Sequence, residues 1–126
     1  MIGIRGATTI ERDNEEEIIK NTIDLLKEMI SSNNLVNEKV TAIFFSSTKD
    51  LSAAYPAKAA RHMGLIDVPL MCSQEMHVEG SLQKCIRVCL FYDGEISKKN
   101  VRHIYLNDAK QLRPDLANQH VNNTHA

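Results

Sequence analysis

The chain is expected to fold as a single α+β domain built around one sheet, and three observations lead there. A length of 126 residues leaves no room for a second core of normal size. One long segment carries apolar residues at helical spacing, while several others alternate with the period of a strand. Their order is strand, helix, strand, helix, strand, strand, strand. Five strands and two helices leave one face of the sheet only partly covered by the chain itself. That face is expected to meet another subunit, because uncovered apolar patches mark interaction sites.

The first strand runs from Ile2 to Ile10. Alternation puts Ile2, Ile4, Thr8 and Ile10 on one side and Gly3, Arg5, Ala7 and Thr9 on the other, so Arg5 points away from the isoleucines. Asp13 with Glu16 has the spacing of a capping box, and Glu15, Glu16 and Glu17 suit the positive end of a helix. Ile18, Ile19, Thr22, Ile23, Leu26, Met29 and Ile30 then form its apolar stripe. The helix is expected to end near Ser31-Ser32-Asn33-Asn34.

Val40 to Ser46 is rich in β-formers and reads as a buried strand. Pro56 favours the first turn of a short second helix through Ala57, Ala59 and Ala60, which stops at Gly64. Lys58 and Arg61 lie three apart and share one of its faces. A third strand is expected around Val68 to Cys72, followed by the loop Ser73-Gln74-Glu75-Met76. In Gln83 to Tyr92, Ile86, Val88 and Leu90 share one face while Cys85, Arg87 and Cys89 share the other. Both faces of this strand look buried, yet one has an arginine at its centre. An isolated monomer would leave that second face open. Val101 to Leu106 is the last strand, alternating His103 and Tyr105 against Arg102 and Ile104. The domain is expected to span 1–116, with 117–126 a polar, frayed tail.

Composition narrows the function classes. With 43% apolar and 25% charged residues the chain is neither disordered nor collagen-like. Fifteen basic against sixteen acidic residues give a net charge of -1, whereas a general phosphate-backbone binder carries a basic surplus, so nucleic acid is not an expected partner. No apolar run approaches the roughly 20 residues that span a bilayer, and MIGIRGATTI lacks the features of a signal peptide. A cytoplasmic protein with no membrane partner is expected. Cys72, Cys85 and Cys89 are an odd number, so reduced thiols are expected instead of a disulfide framework. No Cys-x-x-Cys pair occurs and the five histidines lack zinc-ligand spacing, so no metal is expected.

Among the residues that could carry chemistry, Arg87 comes first, because a guanidinium cannot shed its charge and burial demands an anion. That anion is either an internal carboxylate, Glu75 or Glu79, or negative charge on a ligand; viewed alone, the internal pair is the commoner arrangement. Arg5 stands between Gly3 and Gly6 on an edge-like strand, where glycines permit close backbone approach. Viewed alone it reads as a solvated strand end. Lys58 and Arg61 form a basic helical face of the kind that is usually just solvated. Tyr105 reads first as a packing residue. Cys72 near Glu75 could pair a nucleophile with a base, but an inert thiol is the stronger reading. No phosphate-binding glycine loop or Ser-His-Asp order is present. Cationic groups with one or two carboxylates suit a small polyanion, or a reaction that needs only positioning and charge stabilisation.

Several stretches, in order, carry a family resemblance. They are Gly3-Ile4-Arg5-Gly6-Ala7-Thr8-Thr9, Tyr55-Pro56-Ala57-Lys58-Ala59-x-Arg61, Cys72-x-Gln74-Glu75-Met76, Lys84-Cys85-Ile86-Arg87-Val88, and Arg102-His103-x-Tyr105-Leu106 with Leu112-Arg113-Pro114-Asp115-Leu116. Together they resemble the monofunctional bacterial chorismate mutases of the trimeric, mixed α/β kind. The resemblance implies a mixed five-stranded sheet with helices on one face, closed by three subunits into a pseudo-barrel with clefts between neighbours. It also implies the Claisen rearrangement of chorismate to prephenate, on the way to phenylalanine and tyrosine, without cofactor or covalent intermediate.

Residue roles follow from the same resemblance. Arg87 would donate to the ether oxygen as it gains negative charge, and Glu75 would accept from the ring hydroxyl. Arg5 and Tyr105 would hold a carboxylate of the pyruvyl side chain. Arg61, Lys58 and Tyr55 would enter from the neighbouring subunit, Cys72 would sit beside the ring, and Leu112 with Arg113 would belong to the closing C-terminal segment. Tyr55 stands where the family carries phenylalanine and Met71 where it carries threonine. Trimeric deaminases of reactive imines are similar in architecture, and a non-enzymatic sensor of an aromatic-pathway acid is a further alternative; Glu75 together with Arg87 favours the mutase.

Overall fold

The structure, a computed structural model, describes residues 1–114. The expected tail, the domain boundary after residue 116, and Asp115 and Leu116 lie outside the described residues. Five strands and two α-helices follow the expected order: β1 (Ile2–Thr9), α1 (Glu15–Ser32), β2 (Val40–Ser47), α2 (Ala57–His62), β3 (Leu70–Gln74), β4 (Cys85–Tyr92) and β5 (Ile104–Tyr105). Short 3-10 turns stand at Asn37–Lys39 and Asn107–Gln111. The sheet order is β3-β2-β4-β1-β5. β4 runs antiparallel to both β1 and β2, whereas β2 with β3 and β1 with β5 are parallel, so the sheet is mixed.

Helix α1 begins one residue later than the capping pattern predicted. Asn14 is the cap, its side-chain oxygen accepting from the Glu17 N–H at 2.8 Å, and the Glu17 carboxylate reaches back to the N–H groups of Glu11 and Arg12. Asp13 has other work: its carboxylate accepts from the N–H groups of Ser52 and Ala53 and from the Ser52 hydroxyl at 3.0–3.1 Å. A cap was legible in the sequence, but which of two adjacent acceptors would be claimed by a loop some forty residues away was not. The helix then buries Ile18, Leu25, Leu26 and Met29 completely, each side chain contributing about 1.5 to 3 kcal/mol.

Those side chains pack on one face of the sheet, against Ile4, Ile43, Phe45, Ile86, Val88 and Leu90. Gly6 lies on this face too, where a Cβ would come within 2.5 Å of the Met29 sulfur and 3.1 Å of Leu25 Cδ1. Gly3 has no such constraint, since its nearest side-chain neighbours stand 3.9 Å from that position. Helix α2 is short and its Ala57, Ala59 and Ala60 are buried; small side chains let it sit close to its neighbours.

Several expectations are corrected by the structure, among them the last strand, expected over Val101 to Leu106 but formed only at Ile104–Tyr105. β1 is not an edge strand, because β4 flanks it on one side and β5 pairs with it at Gly6 and Ala7 on the other. β3 starts two residues later than expected and takes in Ser73 and Gln74, which pair with Ser46 and Ser47. β2 is buried on only one face, since Phe44 is 45% exposed. The reason is shared: alternation tells which side chains share a face, but not what covers it. Here the face opposite the helices is open, with Arg5, Cys89, Phe44 and Met71 side by side across four strands. Phe44 and Phe91 meet on it edge to face, ring centroids 5.4 Å apart.

Candidate active site

The next row of the open face sets Tyr105, Ala7, Arg87, Ser46 and Ser73 across all five strands. The guanidinium of Arg87 thus rises between two small neighbours. A hollow of about 260 Å³ lies here, lined by Arg5, Arg87, Tyr105, Ser46, Cys89 and others. Arg87 Nε stands 3.3 Å from Glu75 Oε2. The internal partner is therefore Glu75. Its side chain is 30% exposed and that of Arg87 is 49%, so the pair is open to solvent and adds little to stability. A charge kept so accessible remains available to a ligand.

The Arg5 end of this hollow is held by contacts from far along the chain. The Arg5 N–H donates to His103 Nδ1 at 2.9 Å, and the Leu106 N–H donates to the Ala7 carbonyl at the same distance. Asn107 Nδ2 donates to Thr8 Oγ1, and the Asp108 N–H to Thr9 Oγ1. Asn33, which caps the C-terminus of α1, exchanges hydrogen bonds with the backbone of Arg102 in both directions. Two hydrogen-bonded strand residues alone would not fix β5; these ties do, and they set Tyr105 in place. Tyr105 is 8% exposed and packs with Ala7, Cys85 and Ala109, with Leu112 against the group. Burial, helped by the charges of Arg5 and Arg113, pushes the His103 imidazole down to about 4, so it is neutral near pH 7 and free to accept.

A polar clamp also fixes the start of β4, two residues before Arg87. Asp50 accepts from the Lys84 N–H at 3.0 Å, and Thr48 Oγ1 accepts from the Cys85 N–H at the same distance. Lys84 has a φ of 49°, a left-handed conformation that the clamp holds in place. Burial pushes the Cys85 thiol up to about 11, against a smaller opposing pull from Arg87. It is no nucleophile. All three cysteines are free.

A second, larger hollow of about 640 Å³ is lined by Tyr55, Lys58, Arg61, Cys72 and Glu15, among others. Lys58 Nζ is 3.1 Å from Glu15 Oε1, and the Asp13 contacts fasten the loop that leads to Tyr55. Slight desolvation works against the Asp13 charge, but the Ser52 and Ala53 hydrogen bonds and the Lys84 charge hold its carboxyl below the usual value. The two hollows adjoin at edge strand β3, where Ser73 lines both. Cys72 pairs with buried Phe45 and faces the helices, whereas Ser73 pairs with Ser46 on the open face.

The family described as chorismate mutase type I matches residues 1–116. The chain belongs to that family. It is 47% identical over 116 residues to the chorismate mutase AroH of Bacillus subtilis (strain 168), covering 91% of each chain. To the chorismate mutase AroH of Thermus thermophilus it is 44% identical over 115 residues, covering 90% of this chain and 94% of the relative. A solved chorismate mutase from Clostridium thermocellum superposes with a TM-score of 0.87 at 47% identity, covering 88% of this chain and 99% of that one.

In this chorismate mutase family member the site residues expected from the sequence fall into two groups. Arg5, Glu75, Arg87 and Tyr105 gather on the open face, with Leu112 packed against Tyr105 and Arg113 close enough to act on His103. Tyr55, Lys58, Arg61 and Cys72 line the larger hollow. Two residues of the mutase fold were missed as contributors: Ser46, whose hydroxyl donates to Glu75 Oε2 at 2.8 Å, and His103. Alternation placed His103 beside Tyr105, but nothing local names a partner 98 residues away. Among the described residues no three His, Cys, Asp or Glu side chains cluster closely enough to hold a metal ion, and no helix is long and apolar enough to cross a membrane.

Proposed function

We propose that the chain converts chorismate to prephenate in a cleft shared by two neighbouring copies, three copies closing the assembly. Family membership supports the reaction. The observation that supports the shared cleft is the division of the cationic residues between two hollows, Arg5 and Arg87 in one and Lys58 and Arg61 in the other. Exposed Phe44, Met71, Met76 and Val78 supply apolar surface for the neighbour to cover.

The chemistry needs no more than these groups. In the rearrangement one carbon-oxygen bond breaks and one carbon-carbon bond forms within a single molecule, with no proton or electron taken from elsewhere. Folding the enolpyruvyl arm over the ring costs conformational freedom, which a preorganised cationic cleft offsets. Arg5 and Tyr105 hold the pyruvyl carboxylate in this reading, and Glu75 accepts from the ring hydroxyl. Arg87 faces the ether oxygen, which gains charge as its bond to carbon breaks, so it favours the transition state over the ground state. Arg61, Lys58 and Tyr55 come from the neighbour. Cys72 shares their hollow, so it enters with them as a wall residue. Leu112 and Arg113 belong to the segment that closes over the pyruvyl end. Cytoplasmic synthesis of aromatic amino acids is the setting this activity serves.

Incubating the purified protein with chorismate and assaying prephenate tests the reaction, and sedimentation of the active material tests the assembly. Unchanged chorismate sinks the catalytic reading. Full activity in a monomer sinks the shared cleft.

A further inference from the structure

We propose that Ser46 is a positioning residue that keeps Glu75 from closing on Arg87 with both carboxylate oxygens, and so leaves guanidinium donors free for substrate. The proposal rests on the mutase reading above. Ser46 and Arg87 are direct cross-strand partners on β2 and β4, and Glu75 follows β3 with its N–H donating to the Ser47 carbonyl at 2.8 Å. Three strands therefore bring serine, carboxylate and arginine together. Glu75 Oε2 is shared: the Ser46 hydroxyl donates to it at 2.8 Å, while Arg87 Nε stands farther off at 3.3 Å.

That inequality matters because a carboxylate facing an arginine tends to settle into a two-pronged fork, two parallel N–H bonds to two oxygens. Such a fork would satisfy Glu75 at the expense of the charge that catalysis requires. An arginine has five donors, and a single long contact through Nε leaves the others for an incoming anion. The serine supplies the competing donor. Ala7, on the other side of Arg87, offers no side-chain hydrogen bond, so of the two cross-strand neighbours of Arg87 it is Ser46 that can hold the carboxylate back.

The test compares wild type, Ser46→Ala and Ser46→Thr by steady-state kinetics on chorismate, thermal melting and crystal structures. Ser46→Ala is expected to lose about tenfold in kcat, the scale of one hydrogen bond to a charged group, with a smaller change in KM and an unchanged fold. Ser46→Thr keeps the hydroxyl and should recover most of the loss. In the Ser46→Ala crystal, Glu75 should have turned to meet Arg87 with both oxygens. An alanine variant with normal kcat, a threonine variant as poor as alanine, or a Glu75 carboxylate that stays where it is in Ser46→Ala overturns the proposal. If the wild type leaves chorismate untouched, the assigned reaction is what fails, and the crystal comparison still decides whether Ser46 holds Glu75.

Discussion

The backbone N–H of Arg5 donates to His103 Nδ1 at 2.9 Å, so a neutral imidazole on the segment entering β5 fixes a cation on β1. Burial and the charges of Arg5 and Arg113 lower the His103 pKa from 6.5 to about 4. The unfolded chain therefore binds more protons than the folded one between those values. The stability that this group contributes is present above about pH 6.5 and is lost as pH drops toward 4, below which both states are protonated and no further loss arises from it. Melting temperature against pH should show that slope, and His103→Gln should flatten it. An unchanged slope in the variant would assign the acid sensitivity elsewhere.

Arg87→Ala should lower turnover by more than about 100-fold, since one preorganised donor to a developing oxyanion is worth roughly 2.7 to 4 kcal/mol. Lysine should rescue little, because a point charge lacks the planar fork. The half-exposed Glu75 pair adds little stability, so the variant should melt near the wild-type temperature. Near-normal turnover would refute the electrostatic role.

Cys72→Ala should retain activity within about tenfold, as expected of a wall residue that forms no bond to substrate. The rate should vary little with pH around neutrality, since the rearrangement transfers no proton. A trapped covalent adduct, or a bell-shaped profile centred near neutrality with a solvent isotope effect, would contradict this mechanism.

Mixing Arg61→Ala and Arg87→Ala subunits should restore activity that neither variant has alone. The two arginines line different hollows, so in the shared-cleft reading some interfaces in a mixed assembly carry both intact residues. Unfolding the pair together, refolding, and assaying against separately refolded controls gives the answer. No recovery despite mixed assemblies seen by mass would mean that both serve one chain's pocket.

Gly6→Ala should destabilise the fold by about 1 to 3 kcal/mol, the usual range for overpacking. The added methyl would crowd both Met29 and Leu25 of α1, so yielding by one side chain does not relieve it. Gly3→Ala is the control and should melt close to wild type. Equal melting of both variants would show that the helix can shift at no cost.

The sequence by itself determined the element order, which residues share a face in β1 and β4, and the cationic character of the chemistry. These are local properties: period-two alternation and helical spacing depend on neighbours within a few residues. It was also enough to single out Arg87, because an arginine at the centre of an alternating strand demands an explanation. Tertiary structure alone decided the strand order β3-β2-β4-β1-β5, which made β1 interior and set Ala7, Arg87, Ser46 and Ser73 in one row. It chose Glu75 over Glu79, moved the helix cap from Asp13 to Asn14, and tied Arg5 to His103. It also divided the cations between two hollows. The physical reason is range. Hydrogen bonds and ion pairs need their groups within a few ångströms, and for residues tens of positions apart only the path of the folded chain brings them that close.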